Sequence, residues 1–326
     1  MAFLTQESRR RRFNTGKHID GPVGLFDKRR VKRMTETKKR TFFRPDSQMA
    51  DLWRRFRKNR SAVVGMAVLI LIILAVLCAP LFYDYENDAI VQNVYERLKP
   101  PFSEGHILGT DDLGRDLMAR LLYGGRISLV ISFVSVAVSV VLGSILGAVA
   151  GYYGGMCDNV IMRCIDILMA IPMTMLAIVI VAALGASIPN MIIALSISQV
   201  PSFARVVRGQ VLTVRGSEYV EAAKALGTVD AEIILAHIMP NILSPILVQI
   251  AIRAATAITN TATLSFLGLG VASPTPEWGA MLSAGRNYIR DYSYLTFLPG
   301  LAMMFTILSL NLLGDGLRDA LDPRLR

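Results

Sequence analysis

The feature that most constrains this chain is a run of 38 residues, 167–204, that contains no charged side chain. A single helix of that length would measure about 57 Å at 1.5 Å per residue, whereas the hydrocarbon core of a membrane is roughly 30 Å thick. Gly185, Pro189 and Asn190 lie in the middle of the run and supply turn chemistry. The run therefore predicts two helices, 167–184 and 190–206, joined by a tight turn.

Four further apolar runs raise the predicted number of membrane spans to six. They cover residues 63–82, 127–152, 242–267 and 292–314, and a span needs about 20 such residues. With 53% hydrophobic and 18% charged residues, the composition excludes a disordered chain and a disulfide scaffold. Cys78, Cys157 and Cys164 have no metal-ligand spacing. We predict an all-α polytopic membrane protein with six transmembrane helices.

Basic residues predict the orientation. Residues 1–62 hold 19 Lys/Arg and 6 Asp/Glu, and the rest of the chain holds 16 and 19. Since basic connections stay on the cytoplasmic side, we expect both termini and the loop 205–241 in the cytoplasm of a cell-membrane protein. Residues 1–48 are predicted to be a disordered basic tail, with a retention signal or a regulatory or RNA-binding role as alternatives. Residues 49–62, with Trp53 and Phe56 on one face, predict an interfacial amphipathic helix.

Several kinds of chemistry have no motif in this sequence. There is no phosphate-binding G-x-x-x-x-G-K-[ST] loop, so we expect no nucleotide hydrolysis by this chain, which is not predicted to be an enzyme. An ion-coupled carrier normally has acidic residues deep in its spans, and the clearest spans lack them. Arg253 is a charge about 11 residues inside the fifth span. It either meets the carboxylate of an acidic or zwitterionic solute or pairs with carbonyl groups structurally.

Two loops on the predicted outer side carry polar or aromatic motifs. The first contains Asp111, Asp112, Arg115 and Asp116, which fit either a metal or ligand site or a paired structural turn. The second contains Trp278 within 273–279, and its position suits an interfacial anchor.

The loop 217–241 is predicted to be a helical hairpin. Ser217 is a plausible N-cap for a helix over 218–226, and Gly227 stands where a helix stops. A second helical segment, 230–238, precedes Pro240. The small side chains of Ala222, Ala223 and Ala225 leave a shallow surface for another protein, although an ordinary solvated hairpin has the same pattern.

Specific residues of this loop carry a family resemblance. Glu221-Ala222-Ala223, Gly227 and Pro240 resemble the EAA loop of ABC importer permeases, although His237 replaces a usual isoleucine and Met239 a usual leucine. Further motifs are similar to the C-type subunit of the dipeptide/oligopeptide/nickel permease family. These motifs are LGTDDLGRD (108–116), GYYGG (151–155), LSFLGLG (264–270), PTPEWG (274–279) and GDGLRDALDPRLR (314–326).

The resemblance implies a type I ABC importer permease with defined partners. These would be a second homologous permease forming a heterodimer, two ABC ATPase subunits that bind ATP and Mg, and an extracytoplasmic substrate-binding protein. No cofactor is implied for this chain, and no nucleic-acid partner. Glu221, Ala222, Ala223 and Gly227 would couple it to the ATPase. Dipeptides or oligopeptides are the implied substrates, with nickel or glutathione import, or an ion-coupled secondary transporter, as alternatives.

Overall fold

The computed structural model describes residues 53–321, and the predicted tail 1–48 lies outside them. Within the described part there are nine α-helices of eight or more residues. They are α1 (Arg60–Leu77), α2 (Leu117–Tyr153), α3 (Gly155–Met169), α4 (Met173–Leu184), α5 (Ile188–Val214), α6 (Glu218–Ala225), α7 (Leu243–Phe266), α8 (Trp278–Gly285) and α9 (Tyr294–Leu321). The predicted all-α class is confirmed.

Five helical segments of residues 53–321 are long and apolar enough to cross a membrane. They are Arg60–Leu77, Leu117–Tyr153, Ile188–Val214, Asp230–Phe266 and Tyr294–Leu321. The sixth predicted span corresponds to α3 and α4, which pass the same test only as a pair bent by 85°. The number of spans is therefore five, or six when this pair is counted.

The single helix predicted over 167–184 is wrong, because the chain leaves the helical conformation at residues 170–172 and bends there. Pro172 has a ψ of 134° and lies outside both helices, and a proline disfavours helical backbone at the residue before it. Only α4, 12 residues long, follows the bend, and it measures about 18 Å. The preceding helix α3 contains Asp158, Arg163 and Asp166 and is not a purely apolar span.

The predicted turn after α4 is confirmed, but the end predicted for the next helix is wrong. Gly185 has a φ of +90°, and Asn190 Nδ2 donates to the carbonyls of Leu184 and Gly185 at 2.9 and 3.0 Å. The helix α5 then continues eight residues past 206. Its charges are neutralised by α3, since Arg205 pairs with Asp166 at 2.8 Å and Arg208 with Asp158 at 2.5 Å.

Glycines bring α2 and α5 into backbone contact. Gly143, Gly147 and Gly151 recur every four residues on one face of α2. A Cβ at these positions would lie 2.5 Å from Phe203 Cβ, 2.4 Å from the Ala204 carbonyl oxygen and 2.8 Å from Val211 Cβ. Small residues with this spacing let membrane helices approach closely. This seam holds the centre of the bundle together.

The two ends of the described chain meet where α1 begins. Residues 53–56 form one helical turn, and α1 begins only at Arg60. The predicted helix 49–62 is therefore interrupted within its described part, and its residues 49–52 lie outside the described residues. Phe56 is buried against Ala62 and Ala320 rather than turned towards a headgroup layer. Gly316 leaves room for this packing, because a Cβ at that position would lie 2.1 Å from Ala62 Cβ and 3.2 Å from Phe56 Cε2.

We expect Gly147→Ala to destabilise the bundle. The added carbon would stand 2.4 Å from the Ala204 carbonyl oxygen and 2.9 Å from the Arg208 backbone nitrogen, and overpacking of this kind costs about 1–3 kcal/mol. The measurement is the midpoint of thermal unfolding of the purified chain in detergent. Gly209→Ala is the matched control, because a Cβ there meets no atom within 4 Å and alanine favours helix over glycine. Equal midpoints for the two variants would contradict the close packing.

Candidate functional site

The segment 217–241, called the hairpin below, extends from one end of the bundle. It follows α5, which ends at Val214, and its first residue, Ser217, stands at the N-cap position of α6. The Ser217 hydroxyl makes no capping bond and donates instead to the Val214 carbonyl at 2.6 Å. The sequence therefore predicts the start of the helix correctly, but the serine stabilises the preceding turn rather than α6.

Gly227 ends α6 as predicted. Its φ is +78°, its N–H donates to the Lys224 carbonyl at 3.0 Å, and the N–H of Thr228 donates to the Ala223 carbonyl at 3.1 Å. These two bonds form a Schellman motif, which needs a left-handed residue at the glycine position. A Cβ at Gly227 would meet no atom within 4 Å. The requirement for glycine here is therefore conformational rather than steric.

The inner face of α6 packs on the bundle. Val220 and Ala223 are buried in one apolar cluster with Val207 and Val211 of α5 and with Ala148 of α2. The cluster also contains Ile233 and Ile238 of the returning segment. Ala223 thus makes its close approach to its own chain, and only Ala222 and Ala225 of the three alanines lie on the surface.

The outer face of α6 is exposed and has an apolar tip. Glu221, Ala222 and Gly227 are exposed, and Leu226 is 86% exposed. Val229 also faces outward. Sequence reasoning missed Leu226, although a leucine directly before a helix-stopping glycine is a signal for a side chain at the tip of a bend.

Polar contacts tie the hairpin to the end of α2. The Tyr152 hydroxyl donates to Asp230 Oδ1 at 2.7 Å, and Lys224 Nζ lies 4.7 Å from the centre of the Tyr152 ring. Arg215 donates to the Gly151 carbonyl at 3.0 Å. These contacts connect the hairpin and the turn before it to the last turn of α2.

At the opposite end of the bundle, the LGTDDLGRD motif forms a paired structural turn. Asp111 is 6% exposed, and its carboxylate accepts from the backbone N–H groups of Leu113 and Arg115. The same carboxylate pairs with Arg115 Nε at 2.7 Å and with Arg120 Nε at 3.2 Å. Asp116 caps α2 by accepting from Ala119 N at 2.8 Å. Of the two predicted alternatives, the geometry favours the structural turn. Residues 53–321 contain no group of three or more His, Cys, Asp or Glu side chains able to hold a metal ion.

The same end carries a partly exposed ion cluster around Glu96. Lys99 Nζ lies 2.8 Å from Glu96 Oε1, and His106 bridges Asp116 at 2.8 Å and Glu96 at 3.4 Å. The hydrogen bond from Lys99, followed by that from His106, lowers the pKa of Glu96 against an opposing effect of burial. These bonds fix the loop to the start of α2.

The interfacial anchor predicted at Trp278 is wrong. Its side chain is 2% exposed, and its Nε1 donates to the Leu121 carbonyl at 2.8 Å. The ring enters a slot opened by Gly125, where a Cβ would stand 2.6 Å from the ring. Glu277 beside it caps α8, accepting from the backbone N–H of Gly279 and of Ala280, each at 2.9 Å.

Arg253 lies at the eleventh position of α7 and is half-buried. With the Gln249 amide oriented to satisfy both groups, its oxygen accepts from Arg253 Nε at 2.8 Å and from Nη2 at 3.3 Å. The structure brings Glu221, Ala222 and Gly227 together on the outer side of the hairpin. Arg253 belongs to a separate region inside the membrane helices.

Comparisons with known proteins agree with this architecture. Residues 143–326 match the family of binding-protein-dependent transport system inner membrane components, and residues 47–101 match the N-terminal TM domain of oligopeptide transport permease C. Among solved structures, the MetNI methionine ABC transporter in inward facing conformations has a TM-score of 0.52 at 18% identity, covering 63% of this chain and 98% of that chain.

Curated relatives cover most of this chain and of their own length. The dipeptide transport system permease protein DppC of Alkalihalophilus pseudofirmus is 43% identical over 280 residues, covering 86% of this chain and 91% of the relative. The glutathione transport system permease protein GsiD of Pectobacterium atrosepticum is 44% identical over 278 residues, covering 85% and 91%. The chain therefore belongs to the family of binding-protein-dependent transport system inner membrane components, the multi-pass permease subunits of ABC importers.

Proposed function

We propose that this permease forms half of the translocation pathway of an ATP-driven importer of dipeptides or short oligopeptides. The observation that carries the proposal is the hairpin, whose inner face is packed on α2 and α5 and whose outer face presents Glu221, Ala222 and Leu226. Such a surface suits a protein partner, because an exposed leucine gains about 2 kcal/mol when it is buried. That partner is an ABC ATPase subunit, which binds ATP and Mg.

Coupling follows from the contacts of the hairpin. When two ATPase subunits close on ATP, each moves the helix that is docked in it. Here the movement of α6 reaches α2 through Tyr152 and Asp230, and it reaches α5 through the buried cluster. A second permease related to this chain completes the pathway, and an extracytoplasmic binding protein delivers the solute. This chain has no cofactor of its own in the proposal.

Peptides are the favoured substrate class because relatives of similar identity are named for dipeptides and for glutathione. Glutathione import by the same kind of machine is the second candidate, and nickel is the third. A secondary transporter is the alternative from another class. Reconstitution without ATPase subunits separates the two classes, because the proposed machine imports nothing in that state.

The orientation has a direct test. We expect a cysteine at Lys224 to react with a membrane-impermeant thiol reagent only from the cytoplasmic side, because the hairpin must meet a cytosolic ATPase. A cysteine at Glu104, which is exposed at the opposite end of the bundle, should react only from outside. Both are placed in a chain whose native cysteines are replaced by serine. Labelling of Lys224→Cys from outside intact cells would overturn the proposal.

We expect Gly227→Val to uncouple ATP turnover from uptake. Left-handed backbone costs a residue with a Cβ about 1–2 kcal/mol, and the Schellman bonds hold the tip in place. Uptake per ATP hydrolysed should fall roughly 5–30-fold, the factor corresponding to that energy. Gly227→Asn is the control, because asparagine tolerates this conformation. Normal uptake by the valine variant would remove Gly227 from the coupling mechanism.

We expect Leu226→Ser to weaken the association of the permease with its ATPase subunits about 10–150-fold. The variant removes an apolar contact of roughly 1.5–3 kcal/mol without touching the interior, since Leu226 is 86% exposed. Binding is measured by titrating purified ATPase against the permease pair in nanodiscs. Phe102→Ser, at an 87% exposed residue of the opposite end, is the matched control. Equal affinities for the two variants would place the docking surface elsewhere.

A further inference from the structure

One face of α7 is mostly polar although it is not buried, and Ile252, 41% exposed, is the large apolar side chain on it. Gln249, Arg253, Thr256, Thr259 and Thr263 follow one another at intervals of three or four residues, which places them on the same side of the helix. All five are exposed or half-buried in the chain. They extend over most of the length of α7.

Other membrane helices have apolar exposed faces. The exposed large side chains of α1 are Val64, Ile70, Leu71, Leu74 and Leu77, and those of α2 include Val130, Val134, Val138, Val141, Leu142 and Ile145. Hydrocarbon cannot hydrogen-bond to polar groups, and a charge within it faces a protein interior or a water-filled cavity. The polar face of α7 is therefore not a lipid-facing surface.

The threonines of this face present acceptors. The hydroxyls of Thr256, Thr259 and Thr263 donate to the carbonyls four residues earlier, at 3.0, 3.4 and 2.9 Å. A hydroxyl has a single hydrogen to donate and two lone pairs. Its oxygen therefore remains available to accept hydrogen bonds from N–H groups.

Arg253 is the donor on the same face. Its guanidinium has five N–H donors, and Gln249 accepts from only Nε and Nη2. Among residues 53–321, no aspartate or glutamate forms an ion pair with it. Donors at its outer edge are thus left for a planar carboxylate, which arginine binds in a bidentate manner.

We propose that the polar face of α7 lines the solute pathway and that Arg253 binds the terminal carboxylate of a zwitterionic peptide there. This inference rests on the proposed function and names the substrate group that the pathway recognises. Thr256 and Thr259 lie about 4.5 and 9 Å beyond Arg253 along the helix axis. Their oxygens are therefore placed to accept hydrogen bonds from further N–H groups of a solute that is held at Arg253.

The competing explanation for a polar face is contact with a helix of the second permease. Labelling of cysteines distinguishes such a contact from a water-filled solute pathway. The assembled transporter carries Thr256→Cys or Thr259→Cys with the native cysteines replaced by serine, and Val138→Cys on the apolar face of α2 is the control. We expect a hydrophilic thiol reagent to modify both α7 variants and not the control. If neither α7 variant is modified, with or without ATP, the assignment of this face to the solute pathway is overturned.

Binding of the peptide carboxylate by Arg253 is tested by uptake into proteoliposomes that contain the whole transporter and saturating binding protein. The probes are alanyl-alanine and its C-terminal amide. Loss of a charge-assisted hydrogen bond should lower uptake of alanyl-alanine by Arg253→Gln about 10–100-fold, and Arg253→Lys should recover part of it. Uptake of the amide should be the same in the wild type and in Arg253→Gln.

An equal loss for both probes would assign Arg253 a structural role and overturn the inference. The proposed function fails separately, by absence of ATP-dependent uptake of either peptide in the wild-type transporter. In that event the thiol labelling still decides whether water reaches the α7 face.

Discussion

The backbone contact between α2 and α5 is the constraint on which the rest of this structure depends. Burial of apolar surface gives little driving force between helices in lipid, so their association depends on close packing and on hydrogen bonds between helices. The glycines of α2 supply the first, and buried serines supply the second. Ser139 donates to the Ser196 carbonyl at 3.0 Å, and Ser196 donates to the Ser135 carbonyl at 3.2 Å. Because α5 is fixed in this way, the hairpin that follows it starts from a defined place.

Local sequence signals predicted what depends on local physics. The absence of charge located the membrane helices, because an unpaired charge in hydrocarbon is costly. The same rule failed at the end of α5, since Arg205 and Arg208 are compensated by carboxylates of α3 that lie 39 and 50 residues earlier. Pro172 is a local signal for the bend, but the absence of charge along 167–204 does not reveal it.

In the hairpin, too, the sequence predicted the features that depend on local backbone conformation and not those that depend on tertiary packing. Gly227 was predicted because a helix stop is decided by the φ angle of one residue. The sequence did not predict that Ala222 is exposed while Ala223 is buried, because this depends on which side of α6 meets Val207 and Val211. Trp278 was misplaced for a similar reason, since only the folded chain brings the slot at Gly125 beneath it. The sequence thus indicates where a surface element begins and ends, and the tertiary packing decides which of its residues face outward.

The hairpin and the polar face of α7 are parts of one continuous segment. Residues Asp230–Glu232 are α-helical, Ile233–Ile238 form a π-helix, Met239–Ile242 a 3₁₀-helix, and α7 begins at Leu243. Changes of helix type within a segment, such as this one at Pro240, concentrate bending where the regular hydrogen bonds are interrupted. A force on the hairpin therefore acts on the first residue of the helix that carries Arg253, about 15 Å away along its axis. In the proposed transporter, the docking surface on the hairpin and the polar face of α7 are thus connected by one continuous stretch of chain.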